Sequence, residues 1–367
     1  LNMILFDKHL PIFSPYNILI LLKRNFDMKV TITDIAQAAG LSPATVSLVL
    51  NNRPSRISES TKNKIKALAQ EMGYRPNFAA VNLRTRRSYT LGLIIPDIRN
   101  DYYATYAKGL EDFCQEMNWS MILCTTNQNP LREKQYIEAL YAKNIDGIAL
   151  ITTPSSADDS IYASNRELLL STKVPVVQTD LTNYEEPINA VVCDHEKGGY
   201  IATHHLLSLG HRKIAFITGP SGLEAAQSRL EGCKRAFKNY NLEWDDSLIY
   251  EGDYTYESGL DGIDYLCDKE FTAVFALNDL MAYGVYNGLS KYNLSVPEDI
   301  SVIGYDDHFL SAILTVPLTT VRQPVYEMGK EAARILIHAA EHPDAKPVIT
   351  TFELKLILRK STRKIDG

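Results

Sequence analysis

The sequence predicts two folded parts of different class: a small all-α helix-turn-helix head and a large α/β body of two doubly wound lobes. Three observations carry this. Short helices with start and stop signals can be traced between Thr31 and Gly73, apolar strands alternate with amphipathic helices after Ser88, and charge is divided between the two parts. At 367 residues the chain exceeds the size at which one hydrophobic core keeps growing, so more than one core is expected. Hydrophobic residues at 45% and charged residues at 22% are globular values, which excludes a disordered or fibrous class.

The first helix is expected within Thr31-Ile-Thr-Asp-Ile-Ala-Gln-Ala-Ala-Gly40. Thr33 is placed to cap it, Asp34 suits its positive N-terminal end, and Gly40 ends it. Ile32, Ile35, Ala36 and Ala39 form one apolar face. Ser42 is a good N-cap, and Pro43 falls at the first helical position, where its missing N–H costs nothing, so a second helix runs from Pro43 to about Leu50. A third starts at Ser58, turns Ile65, Leu68 and Met72 inward, and stops at Gly73. Small alanines between the first two helices permit the close crossing of a helix-turn-helix.

The net charge of −6 hides an asymmetry. Residues 28–87 hold ten Lys/Arg against three acids, whereas residues 88–367 hold 25 against 39. A cationic head on an acidic body suits a polyanionic partner for the head alone. The five cysteines, at 114, 124, 193, 233 and 267, show no CxxC pair and no metal spacing, and are expected to be free, buried thiols of a reducing cytoplasm. Ile18–Leu22 is too short for a membrane span or a signal segment. Met28 stands just before the first patterned segment, so residues 1–27 are expected to be a non-native or disordered extension.

In the body, Leu91–Ile95, Ser120–Cys124, Gly147–Ile151 and Val174–Val177 read as strands, with helices near 102–117, 130–143 and 157–171. A second set follows at Lys213–Ile217, Ala273–Leu277 and Ser301–Tyr305. Ligands of such sheets bind beyond the C-terminal strand ends. Enzyme signatures are missing: there is no GxGxxG, no GxxxxGK[ST] and no GxSxG elbow. His204 and His205 diverge by about 100° on a helix and make a poor metal pair. The acid pairs Asp158-Asp159 and Asp245-Asp246 are expected to be solvated or capping, and Gly210-His211-Arg212 to form a surface turn.

The run Val30-Thr-Ile-Thr-Asp-Ile-Ala-Gln-Ala-Ala-Gly-Leu-Ser-Pro-Ala-Thr-Val-Ser-Leu-Val-Leu-Asn51, followed by Gly73-Tyr-Arg-Pro-Asn77, closely resembles the head of the LacI/GalR family of bacterial repressors. That resemblance implies a DNA-binding head whose second helix lies in the major groove, with Pro43, Ala44 and Leu48 at base-reading positions. Ser42, Thr45 and Ser47 would anchor phosphates or helix geometry. It also implies DNA contacts by Thr31, Asn51, Tyr74, Asn77, Ala80 and Arg84. Leu48 departs from the polar or basic residue common in that slot, and can offer only apolar contact, as to a thymine methyl. Pro76–Ser88 resembles the family's hinge helix, in which Leu83 would wedge into the minor groove; Val81 replaces the usual arginine or glutamine. So short a helix is marginal alone and is expected to order on DNA.

The body carries blocks that resemble the family's periplasmic-binding-protein-like effector domain: Pro96–Tyr103, Thr218-Gly-Pro220, Arg229-Leu-Glu-Gly232, Leu277-Asn-Asp279, Gly304-Tyr-Asp-Asp307 and Leu318–Gln323. By that resemblance Tyr102 and Tyr103 stack on or hydrogen-bond a ligand, Arg229, Asn278 and Asp306 hold its hydroxyls or polar edge, and Gln323 lies near a lobe crossover. An arginine fork, an amide and a carboxylate beside aromatic faces suit a polyhydroxyl ligand. The implied domains are a head at 28–76, a hinge at 77–88, and an effector-binding and dimerisation domain at 89–367. Lobe 1 would take about 89–193 and 323–352, and lobe 2 about 194–322 with the C-terminal segment. The implied protein is a cytoplasmic homodimer, without cofactor, metal, catalysis or membrane, that binds a pseudo-palindromic operator under control of a small molecule, possibly a sugar. Loss of salt-sensitive DNA binding on removing residues 28–87 would separate it from an exported solute-binding protein of the same two-lobed fold.

Overall fold

The structure, a computed structural model, describes residues 30–51, 54–74, 87–152, 159–180 and 188–365. It divides into one unit up to Arg86 and a second from Arg87 onward. The expectations for residues 1–27 and for Asn77, Ala80, Val81, Leu83 and Arg84 lie outside the described residues.

The head is built from α1 (Ile32–Ala39), α2 (Pro43–Leu50) and α3 (Glu59–Glu71). Thr31, not Thr33, caps α1: it takes the extended backbone of a cap and forms a reciprocal box with Asp34, whose carboxylate accepts the Thr31 N–H over 2.8 Å. Gly40 closes the helix at φ +70°, a conformation that favours a residue without Cβ. Ser42 caps α2 and Ser58 caps α3, each accepting an N–H three residues on. Ile35, Val46, Val49, Ile65, Ala69 and Met72 are buried together, while Leu68 is only partly buried and Ala69 takes the central place on α3. Lys64 Nζ donates to the Ala39 carbonyl over 3.1 Å, tying α3 to the end of α1.

Among the described residues the body holds two six-stranded sheets. In the first, β1 (Thr90–Ile95), β2 (Ser120–Thr125), β3 (Gly147–Leu150), β4 (Val176–Thr179), β5 (Asn189–Cys193) and β11 (Ile349–Phe352) pair in the order β11-β5-β4-β3-β1-β2, all parallel. In the second, β6 (Ile214–Thr218), β7 (Ile249–Glu251), β8 (Ala273–Ala276), β9 (Ser301–Asp306), β10 (Thr319–Arg322) and β12 (Lys355–Ile357) pair in the order β12-β10-β9-β8-β6-β7, with β12 alone antiparallel. The chain leaves the first sheet after β5, returns after β10 and crosses again between β11 and β12.

Helices α4 (Asp101–Glu116), α5 (Pro130–Ala142), α6 (Asp159–Ser171) and α12 (Val325–Glu341) accompany the first sheet. With the second run α7 (His195–Ser208), α8 (Glu224–Asn239), α9 (Tyr256–Leu266) and α10 (Asp279–Lys291), and a short α11 (Phe309–Ile313). Strand interiors such as Leu91, Leu93, Phe216, Phe275 and Ile303 are fully buried, as parallel sheets covered on both faces require.

Four sequence expectations need correction. The strand expected at Val174–Val177 runs Val176–Thr179, because Pro175 has no N–H to give the ladder and offers only its carbonyl, which accepts from Ile148 over 2.9 Å. Strands β5, β7, β10, β11 and β12 were not expected: β7 and β12 span three residues, and β11 is an edge strand with half its residues exposed. The turn at Gly210–Arg212 holds a buried residue, His211, whose Nδ1 contacts Thr272 Oγ1 at 2.8 Å and whose Nε2 reaches the Arg363 carbonyl at 3.1 Å. Cys114, Cys124, Cys193 and Cys233 are buried free thiols, but Cys267 is exposed. Asp245 caps a short turn and Asp246 accepts from the Trp244 indole, so this acid pair is structural.

Candidate functional site

On the head, α2 turns Val46 and Val49 into the core and leaves Pro43, Ala44 and Leu48 exposed. The helical period forces this division, since 43, 44 and 48 share the face opposite 46 and 49. Ser42 Oγ accepts from Thr45 N–H over 3.1 Å and contacts Thr45 Oγ1 at 2.9 Å, so these residues shape the helix start. Asn51 Nδ2 donates to the Ser47 carbonyl over 2.7 Å and fixes its end. Tyr74 is half-buried against the head core. Thr31 is exposed and engaged in its capping box.

In the body, polar side chains converge beyond the C-terminal strand ends of both sheets. Asp180 follows β4, His195 opens α7, Arg229 lies in the second turn of α8, Tyr305 and Asp306 end β9, and Gln323 follows β10. Asp180 collects three groups: Tyr102 Oη donates to Oδ2 over 3.0 Å, Cys193 N–H donates to Oδ1 over 3.1 Å, and His195 Nε2 lies 3.1 Å from Oδ1. Arg229 Nε donates to His195 Nδ1 over 3.3 Å, and Nη1 donates to the Leu277 carbonyl over 2.6 Å. A guanidinium only donates, so Nδ1 of His195 is the bare nitrogen and its proton sits on Nε2, facing Asp180. Tyr305 Oη meets the same Nδ1 at 2.9 Å, and its ring lies under the guanidinium at 3.9 Å.

Burial holds His195 below its ordinary pKa, against the pull of Asp180, so the ring is neutral near pH 7. Burial works against ionised Asp180 as well, but contacts with His195, Arg229 and the Cys193 N–H hold its carboxyl below the usual range. Asp306 is the opposite case. Burial pushes its carboxyl up to about 7, although Arg229 and the Gln323 hydrogen bond favour the charge. Burial, then the nearby Tyr254 and Asp306, also raise the Tyr103 phenol. Tyr102 and Tyr103 meet edge to face at 5.3 Å.

The backbone aims these groups. Asp306 and Asp307 lie at φ +116° and +62°, a conformation that non-glycine residues adopt only where surroundings enforce it. Asp279, fully buried, supplies part of that enforcement: it accepts from His308 N–H over 2.8 Å, Ser311 Oγ over 2.6 Å and Thr320 Oγ1 over 2.6 Å. A Cβ at Gly304 would stand 2.2 Å from Asp279 Oδ1, so this approach requires glycine.

Of the residues expected here, Tyr102, Tyr103, Arg229, Asp306 and Gln323 come together. Asn278 is present as scaffold: its Oδ1 caps α10 through Met281 N–H and its Nδ2 holds the Tyr254 carbonyl. Asp180, His195, Tyr254, Tyr305 and Asp279 were missed. Asp180 directly follows the end of β4, where the strand-end rule points, but the strand expected two residues early hid it. Among the described residues no group of three or more His, Cys, Asp or Glu could hold a metal ion, and no helix is long and apolar enough to cross a membrane.

Residues 31–77 match the model of bacterial regulatory proteins of the lacI family. The chain is 37% identical to the HTH-type transcriptional regulator DegA of Bacillus subtilis over 308 residues, covering 84% of this chain and 90% of that protein. The chain belongs to the LacI family. Residues 203–362 of this LacI-family regulator match the periplasmic binding protein-like domain. It is 35% identical to the ribose operon repressor of Escherichia coli strain K12, covering 85% of this chain and 94% of that protein. The solved lac repressor dimer, bound to operator and the anti-inducer ONPF, superposes with a TM-score of 0.81 at 27% identity, covering 91% of this chain and 99% of that one. This LacI-family member is therefore a DNA-binding transcriptional regulator with an effector-binding body.

Proposed function

We propose that this regulator is a cytoplasmic repressor, without catalytic activity, whose grip on a pseudo-palindromic operator is set by a small polyhydroxyl metabolite held among Tyr102, Tyr103, Arg229, Asp306 and Gln323. One observation carries the ligand assignment: a buried guanidinium, a buried carboxylate and a buried amide converge beside tyrosine rings at the strand ends of both sheets. The ribose named for a relative at 35% identity supports a sugar as the first class to try.

On this reading the head spans 28–76 and the hinge 77–88. The ligand cleft lies between lobe 1, about 89–193 and 323–352, and lobe 2, about 194–322 with the C-terminal segment. Pro43, Ala44 and Leu48 read bases, Ser42, Thr45 and Ser47 set the helix on phosphates, and Leu83 wedges the minor groove. Dimerisation follows from the operator, because one short helix reads too little sequence and a two-fold protein matches a palindrome. Ligand and DNA are coupled by linkage: a ligand that prefers one lobe arrangement changes operator affinity only by its differential binding, typically about 1–3 kcal/mol.

The test is operator binding by the full chain, titrated with salt and with a panel of sugars. Selective, salt-sensitive binding of one duplex, shifted by a sugar that also raises the melting temperature, is the expected result. Equal binding of all duplexes would end the regulatory reading for the head.

A further inference from the structure

Away from the cleft, we propose that His338 and His342 form a binding site for a late first-row divalent metal ion, of the Zn²⁺, Ni²⁺ or Cu²⁺ class, with water completing its coordination. The two residues stand four apart at the C-terminal end of α12, in the run His338-Ala-Ala-Glu-His342. Four residues of α-helix turn through about 400°, so the two side chains leave the helix only about 40° apart, one turn above the other. The adjacent His204 and His205 share no such face. His342 N–H donates to the His338 carbonyl over 2.9 Å, so helical register holds up to the second histidine although α12 itself ends at Glu341.

The side chains meet as that spacing requires. Their ring centroids lie 4.6 Å apart, with the planes at 47°. Two nitrogens bound to one ion at about 2.0–2.1 Å stand roughly 3 Å apart. Rings this close reach that separation by turning about their Cβ–Cγ bonds. Both histidines are exposed, so water reaches the coordination positions that the protein leaves open. The backbone beneath them is held on two sides: Ile335, Leu336 and Ile337 are buried, and Arg87 Nη2 donates to the Ala340 carbonyl over 2.8 Å. Ala340 falls opposite the pair on the helical wheel, so this bond braces the last turn from its far side. With the turn fixed, capture of the second imidazole is intramolecular, which raises affinity above that of one histidine alone.

Charge and ligand type select the ion. The C-terminal end of a helix carries partial negative charge, and Glu341 lies three residues from His338 on the same side; both favour a cation. Imidazole nitrogen suits Zn²⁺, Ni²⁺ and Cu²⁺, whereas Mg²⁺ takes oxygen ligands. Gln323 precedes the start of this 17-residue helix and the pair closes its other end, about 20 Å along the axis, so the site is independent of what the cleft holds.

The experiment is equilibrium dialysis of the full-length protein at pH 7.5 against Zn²⁺, Ni²⁺ and Mg²⁺, for the parent, His338→Ala and His342→Ala, with melting curves in parallel. Exposed positions tolerate both substitutions, and unchanged melting of the metal-free variants checks this. The parent is expected to bind Zn²⁺ and Ni²⁺ but not Mg²⁺, and to melt at a higher temperature with Zn²⁺, since the ion binds the folded helix. Each variant is expected to bind Zn²⁺ at least tenfold more weakly at that site and to lose the rise in melting temperature. Affinity unchanged in both variants places any bound metal elsewhere and overturns the proposal. Loss in one variant alone assigns the ion to a single histidine and overturns the pair. No Zn²⁺ or Ni²⁺ bound by the parent, or Mg²⁺ bound equally well, overturns it too.

Discussion

Asp307 is held by Arg359: the guanidinium lies 2.6 Å from Oδ1, while Arg322 takes Oδ2 at the same distance from the other side. The Asp307 side chain is 5% exposed, and the residue sits at φ +62° directly after Asp306. This double clamp ties the end of β9 to the end of β10 and to the C-terminal segment, and so fixes the turn from which Asp306 enters the cleft.

Asp307→Ala is therefore expected to lower stability by about 3 kcal/mol, because removing one partner leaves a largely buried Arg359 charge uncompensated. Ligand affinity is expected to fall as well, as the turn relaxes from its positive φ. Denaturant melts and calorimetry check both; unchanged ligand affinity would show that Asp306 is aimed by other contacts.

Asp306→Asn tests the pH dependence. With its carboxyl raised to about 7, folded Asp306 holds a proton that the unfolded chain releases near pH 4. The folded state then binds more protons between those values, so its stability falls as pH rises from about 4 to about 7 and changes little from this cause above that. Asp279, raised to about 6, adds a slope of the same sign. Melting temperatures of Asp306→Asn from pH 5 to 7.5 are expected to fall less steeply than those of the parent, with ligand binding lost.

Gly199→Ala probes the crossing that carries Arg229. A Cβ at Gly199 would stand 1.9 Å from the Arg229 carbonyl, which is backbone and cannot swing aside. Overpacking of this kind costs roughly 1–3 kcal/mol or more. Separating α7 from α8 also moves Arg229 away from His195, so ligand affinity is expected to drop together with the melting temperature.

Two head variants separate folding from reading. Thr31→Ala removes the α1 capping box and is expected to cost about 1 kcal/mol of head stability. Leu48, 36% exposed, bears no such load. Leu48→Ala is expected to leave stability unchanged and to lower discrimination between operator and random duplex by about 1 kcal/mol, with nonspecific binding preserved. Equal losses on both duplexes would argue that Leu48 contacts no base.

Much of the head was legible because its signals are local. Ser42, Pro43 and Gly40 dictate backbone geometry within one helical turn, and the structure places the α2 boundaries where they point. Thr33 was taken for the cap of α1 in place of Thr31, because two threonines flank Ile32 and only the box with Asp34 decides between them. In the body, apolar runs marked the long buried strands, whereas β7, β11 and β12 are too short or too exposed to leave that mark.

The sequence by itself determined the two-part plan and the segregation of charge, which rest on period, capping and side-chain chemistry carried within short stretches. Its resemblance to the LacI/GalR family pointed to the exposed face of α2 and to Arg229, Asp306 and Gln323 as residues worth watching. Tertiary structure alone decided that His195 links Asp180 to Arg229, that Asp279 and the arginine pair brace the Asp306 turn, and that Asn278 serves the scaffold. Apart from the Asn278 cap on α10, these relationships join residues 15 to 52 positions apart in the chain. They arise only when buried donors and acceptors must find partners in the folded chain.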